Sequence, residues 1–213
     1  MYNTILLDLD GTLTDPGVGI TNSIMYALKK WNIEVKDRTE LYKFIGPPLH
    51  ESYMKYYNFT EEDSFKAVED YREYFREKGI YENELYPGIE DMLTVLKSKG
   101  KKIILATSKP EEFAIKILKH FEIYDYFDYI AAASMDGVRS KKADVIEYAI
   151  KNADIDVKTA VMIGDREYDI LGAAKHNMDS IGVLYGYGNY DELKTAGATY
   201  IVEKVENIVS LVK

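Results

Sequence analysis

Asp8 and Asp10 stand two residues apart in the segment Asp8-Leu9-Asp10-Gly11-Thr12, directly after the apolar residues Ile5, Leu6 and Leu7. Asp165 and Asp169 follow a second apolar run that ends at Gly164, and Thr107, Ser108 and Lys109 close a third, Ile103 to Thr107. Carboxylates gathered with hydroxyls and a lysine suit phosphoryl transfer. Asp8 and Asp165 would share Mg²⁺, which takes one or two protein carboxylates and fills its remaining positions with water and a phosphate oxygen. With its charge screened in that way, Asp8 could attack phosphorus in line, and an aspartyl-phosphate splits one hard displacement into two easier ones. Asp10 is placed to protonate the leaving oxygen and then take a proton from the hydrolytic water, which requires its pKa to be raised. Thr107, Ser108 and the backbone amides around Gly11 could donate to phosphate oxygens, and a lysine could neutralise the charge that develops. A lone Asp-Gly-Thr is ordinarily a turn, and a lone Gly-Asp after a strand is an ordinary helix start. Their joint occurrence, each at the end of an apolar run, favours the chemical reading.

The elements that would bring these residues together are legible in the apolar pattern. Thr4 to Asp8, Ile103 to Thr107, Ala160 to Gly164 and Ser180 to Leu184 read as buried strands. Helical spacing lies between them: Ile89, Met92, Leu93 and Leu96; Phe113, Ile117, Leu118 and Phe121; Val145, Ile146, Ala149 and Ile150. Asp191 to Ala196 and Val205 to Val212 read as further helices, and Tyr200 to Val202 as a further strand. Alternation of this kind predicts an α/β fold, a doubly wound parallel sheet whose ligands bind beyond the carboxyl ends of its strands. Residues from about Asp15 to Glu84 break the alternation. They show amphipathic helical stripes only, Ile20, Ile24, Ala27, Leu28 and Trp31 on one segment and Phe65, Val68, Arg72 and Phe75 on another. The expected division is a core of residues 1–14 and 86–213 and an inserted α-helical domain of residues 15–85.

Bulk properties exclude several alternatives. The 213 residues are 46% hydrophobic and 30% charged, the range of folded globular chains. With no cysteine, disulfides, thiolate metal sites and cysteine nucleophiles drop out, and a metal must be held by oxygen or imidazole. A formal charge of −9 repels nucleic acid, and no apolar run reaches the roughly 20 residues of a membrane span. The N-terminus has neither the basic stretch nor the cleavage site of a signal peptide, so the expected compartment is the cytoplasm. The expected partner is a small phosphomonoester, not a polymer or a membrane, bound by a monomer or small homo-oligomer.

Together, Ile5 to Leu13 with its Asp-x-Asp-Gly-Thr pattern, Ile103 to Thr107, and Gly164, Asp165 and Asp169 resemble the motifs of the haloacid dehalogenase superfamily. The similarity is to its phosphatase branch, which carries a helical cap after the first strand. The resemblance implies that Asp8 is nucleophile and metal ligand, Asp10 acid/base with its backbone carbonyl on the metal, Thr107 a phosphate ligand, and Asp165 a metal ligand. Asp169 would support the metal's waters or the lysine. Relatives often show Lys-Pro where this chain has Ser140, Lys141, Lys142 and Ala143. Lys142 is favoured because it immediately precedes the helical pattern, with Lys141 the alternative. Asp10 separates this chain from the dehalogenases and ion pumps of the superfamily, which leaves a phosphatase or a sugar phosphomutase. A silent binding protein is the remaining alternative. The insert is similar to the caps of phosphoglycolate and nucleotide phosphatases, with Gly46, Pro47, Pro48 and Leu49 where such caps meet substrate. Pro48 and His50 are accordingly the expected specificity residues.

Overall fold

The computed structural model describes residues 1–212. Its elements run β1 (Thr4–Leu7), β2 (Thr14–Asp15), α1 (Gly17–Lys30), α2 (Leu49–Tyr57), α3 (Glu61–Tyr74), β3 (Glu84–Leu85), α4 (Ile89–Ser98) and β4 (Lys102–Pro110). There follow α5 (Glu111–His120), β5 (Tyr129–Ala133), α6 (Lys142–Asn152), β6 (Ala160–Gly164), α7 (Glu167–Ala174), β7 (Asp179–Val183), α8 (Tyr190–Thr195), β8 (Tyr200–Val202) and α9 (Val205–Leu211). Two compact units result, one of Asp15–Glu84 and the other of Met1–Thr14 with the chain from Leu85 onward.

In the larger unit, among the described residues, six strands form one sheet in the order β5-β4-β1-β6-β7-β8. Every recorded pair is parallel, with Leu7 beside Leu105 on one side and Ile163 on the other. Strands buried on both faces need apolar side chains at every position, which is why β1 and β6 show continuous apolar runs without alternation. Leu6, Ile104, Ala106 and Met162 cover one face with Val145, Ile146 and Ala149 of α6. The doubly wound parallel fold expected from the sequence is present. β5 was not anticipated. Its sequence Tyr-Ile-Ala-Ala-Ala carries weak strand preference, and its pairing beside β4 decides its conformation. The chain runs outward from β1 through β4 to β5, then crosses to the other side of β1 and runs through β6 and β7 to β8. The order reverses at β1, and a ligand crevice is expected there.

The smaller unit is helical, with Ile20, Ile24, Ala27 and Leu28 of α1 buried. In α3 the buried face is Ser64, Ala67, Val68 and Tyr71. Phe65, placed by spacing on the buried stripe, is instead 50% exposed. The face turned by one residue because Tyr71 and Ala67, not Arg72 and Phe65, complete a continuous apolar surface with Val68. Tyr53 is fully buried between Phe44 and Phe59, at ring separations of 5.3 and 5.7 Å, so its ring serves packing.

Candidate active site

β1 ends at Leu7, and the Asp8 N–H continues the ladder by donating to Ile163 O at 3.0 Å. Side chains alternate along a strand, so Asp8 falls on the face of Leu6, the face that α6 covers. Lys142 opens α6 and is buried there. Its ammonium lies 2.7 Å from Asp8 Oδ1 and 2.8 Å from Asp169 Oδ1, and it donates to Ala106 O at 2.9 Å. Lys141 is exposed. Asp169 reaches this lysine from the first turn of α7, where its Oδ2 also accepts from Arg166 N–H at 3.1 Å.

Asp165 follows β6 and is 0% exposed. Its Oδ2 accepts from Tyr187 N–H at 2.8 Å, and Thr12 Oγ1 lies 3.5 Å from its Oδ1. Gly11, in the left-handed region at φ +82°, has its missing Cβ position only 2.2 Å from Asp165 Oδ2. Tyr185, Gly186, Tyr187 and Gly188 pass over the same carboxylate. A Cβ on Gly186 would sit 2.3 Å from Gly11 O and 2.4 Å from Asp165 Cβ, and one on Gly188 1.9 Å from Asp165 O. The pattern of acids and hydroxyls in the sequence does not point to this strap. The alternating glycines just past the apolar run Ser180 to Leu184 were its available signal. Gly186→Ala should therefore destabilise the fold by about 1–3 kcal/mol, the usual cost of overpacking, because the obstructing Gly11 oxygen is backbone. It should also weaken divalent-cation affinity measured by titration calorimetry. Unchanged affinity would mean that the strap does not hold Asp165 in place.

Asp10 takes a different partner from Asp8. Lys109 Nζ contacts its Oδ2 at 2.7 Å and Oδ1 at 3.0 Å. Thr107 is buried, and its Oγ1 accepts the Lys109 N–H at 3.2 Å. Ser108 is partly exposed. Asp8, Asp10, Thr107, Lys142, Asp165 and Asp169 thus all lie in the larger unit, at or just past the carboxyl ends of β1, β4 and β6 or at the starts of α6 and α7. Pro48 and His50 lie in the helical unit. Pro48 precedes α2, and the His50 ring stacks on Phe65 at 5.0 Å.

Burial governs the electrostatics. It raises the Asp10 pKa, with Lys109 opposing and Asp8 adding to the rise, so burial exceeds the neighbouring carboxylate as the cause. Asp165 is pushed well above the ordinary carboxylate range by burial, then by Asp169 and Asp8. Burial also lifts Asp169, against the pull of Lys142, to about 6. Burial disfavours the Lys142 ammonium, but Asp169 and Asp8 outweigh it and raise its pKa. Asp8, Asp165 and Asp169 each offer an oxygen within 4.8 Å of the others. One ammonium touches two of these three buried acids, so the donor set is all oxygen with negative charge in excess. A hard divalent cation fits it.

The family model described as haloacid dehalogenase-like hydrolase matches residues 5–183. A 5′-nucleotidase of Pseudomonas aeruginosa is 42% identical over 199 residues, spanning 93% of this chain and 90% of its own. The solved structure of a predicted phosphatase from Clostridium acetobutylicum is 51% identical and superposes with a TM-score of 0.98, covering 100% of this chain and 98% of that one. A relative from Mycobacterium tuberculosis named tyrosine-protein kinase PtkA is 36% identical over 197 residues, 92% of this chain and 67% of its own.

Proposed function

The chain belongs to the haloacid dehalogenase-like hydrolase family, as a phosphatase, and we propose that it hydrolyses small phosphomonoesters with Mg²⁺ through an aspartyl-phosphate on Asp8. The carrying observation is Asp8 at the end of the central strand, in a buried cluster with Asp165 and Asp169 and held by Lys142. Asp8, Asp165, Asp169 and the Asp10 carbonyl are the proposed surroundings of the ion, which when bound supplies Lewis-acid screening of the phosphate charge. Lys142 keeps the Asp8 carboxylate oriented and offsets negative charge on the transferring group. The raised pKa of Asp10 suits a group that first donates a proton to the leaving oxygen and then accepts one from water. Thr107, Ser108 and the backbone at Gly11 are the proposed phosphate donors.

The relative named 5′-nucleotidase favours nucleoside 5′-monophosphates as the substrate class, with phosphoglycolate the second candidate. Phosphate release over a panel of nucleotides, phosphoglycolate and sugar phosphates tests this. Release from none of them with Mg²⁺ present rejects the phosphatase reading, and return of the phosphoryl group to a second hydroxyl of a sugar phosphate indicates a mutase. We retain Pro48 and His50 as proposed specificity residues, so alanine at either should reorder the panel. A uniform loss across it would make their role structural.

Metal affinity should follow the buried acids. Asp169 is held at about 6 in the fold against an ordinary 3.8, so its contribution to metal-free stability is full below about pH 4 and is lost as pH rises through 6. Mg²⁺ competes with those protons. The rise in Tm on adding Mg²⁺ should therefore be small near pH 4–5 and grow through pH 6 to 7, read by calorimetry with chelator as reference. A constant increment across that range would place the ion elsewhere.

A further inference from the structure

Lys109 takes no part in the steps carried by Asp8, Asp10 and Lys142, yet its placement is costly. Its side chain is 5% exposed and that of its partner Asp10 14%. Taking two charges out of water is unfavourable for each ion, and an apolar pair of similar volume would fill the space as well. Packing alone gives no reason for the pair.

The backbone shows how the lysine arrives there. β4 and β5 keep register through Thr107 beside Ala132, and the next recorded partner of Ala133 is Pro110. Two extra residues, Ser108 and Lys109, are thus accommodated on β4. An irregularity of this kind at a sheet edge re-aims a side chain. The Lys109 N–H meanwhile donates to Thr107 Oγ1 at 3.2 Å, which ties its backbone to a proposed phosphate ligand. The lysine is brought against both oxygens of Asp10, at 2.7 and 3.0 Å. A carboxylate touched at one oxygen can still rotate about its Cβ–Cγ bond, whereas one touched at both has its plane fixed.

We propose that Lys109 is the positioning residue for Asp10, holding its carboxyl in the orientation from which it exchanges protons with the leaving oxygen and the hydrolytic water. This rests on the phosphatase reading above. In the first step the bond from phosphorus to the leaving oxygen breaks as the bond to Asp8 forms, and the Asp10 proton passes to the leaving oxygen. In the second step water attacks phosphorus, Asp10 takes the proton from that water, and the bond to Asp8 breaks. Lys109 takes no part in either proton transfer, so it acts only through Asp10.

That dependence separates the proposal from a structural role. A leaving group that departs readily as its anion, such as p-nitrophenolate, needs little protonation, whereas an alkoxide needs it fully. Lys109→Met should lower kcat/KM about 10–10²-fold on a simple alkyl monophosphate, a fraction of the usual acid/base contribution, and only about 3-fold or less on p-nitrophenyl phosphate, whose leaving group scarcely depends on the acid. Lys109→Arg should restore most of the loss. With Asp10→Asn already present, adding Lys109→Met should cost no more than about 2-fold on the alkyl ester, since groups acting as one unit are strongly non-additive. If Lys109→Met does not fold, Lys109→Gln takes its place in the same cycle. Additive losses, equal losses for both leaving groups, or a loss confined to esters carrying a second anionic group would each overturn the inference. Failure of the unmutated protein to turn over any monoester would overturn the phosphatase reading and this inference together, whereas turnover with an additive cycle overturns this inference alone.

Discussion

Asp8→Asn is expected to reduce turnover by about 10⁴-fold or more, the scale on which removing a catalytic group that acts as part of a unit operates, while the protein stays folded. The amide preserves the side chain's volume, and the backbone bond from residue 8 to Ile163 O does not involve the side chain. What is lost is the attacking oxygen and one of the three buried carboxyl groups in the cluster. Acid-stable denaturation after brief exposure to a labelled phosphomonoester should recover label on the unmutated protein and none on Asp8→Asn. Circular dichroism and urea unfolding supply the control. Multiple turnover retained by a folded Asp8→Asn would exclude nucleophilic attack by this residue, whatever the role of the surrounding acids.

Lys142→Met is expected to have the largest effect on stability, about 3–5 kcal/mol in the presence of chelator, the cost of removing one partner from a buried charge pair. The lysine side chain is 4% exposed, and those of its partners Asp8 and Asp169 are 7% and 1%. Methionine fills similar space but leaves both carboxylates with no ammonium in contact. Because the Lys142 pKa is raised, the contribution it makes is present below its ordinary 10.5 and is lost as alkali passes through the raised value. On the acid side it weakens as Asp169 takes up its proton at about pH 6. Adding Asp169→Asn to Lys142→Met should recover part of the loss, since it removes one of the orphaned charges. Urea unfolding of the single and double variants reads both effects. A Lys142→Met protein that unfolds at the urea concentration of the unmutated one would show that the ammonium does not stabilise the cluster. Lys142→Arg should not substitute for the lysine in turnover, because the stem is confined where α6 meets α7. The missing Cβ of Gly172 already lies 3.0 Å from Lys142 Cγ.

The parallel sheet and the acids at its edge are legible in the order of residues alone. A strand buried on both faces must be apolar at every position, so Ile5 to Leu7 and Ala160 to Gly164 announce themselves, and whatever polar residue ends such a run lies at the sheet's carboxyl edge. Asp8, Asp10, Asp165 and Asp169 were therefore legible as a set. Their partners were not. Lys141 and Lys142 are neighbours of the same type in the chain, and it is the packing of α6 against the Leu6 face of the sheet that brings Lys142 to Asp8 and leaves Lys141 exposed. The same holds for Lys109, whose approach to Asp10 depends on two residues accommodated where β4 meets β5, and for the glycine strap. Gly186 and Gly188 look like an ordinary turn until Asp165 and Gly11 are seen to occupy the space their side chains would need. β5 stayed hidden for a related reason, because its alanines prefer helix and only the open edge of β4 makes them a strand. Apolar periodicity is a local property written in the order of residues. Which charge meets which, and where no side chain fits, is settled by elements distant in sequence arriving at one place.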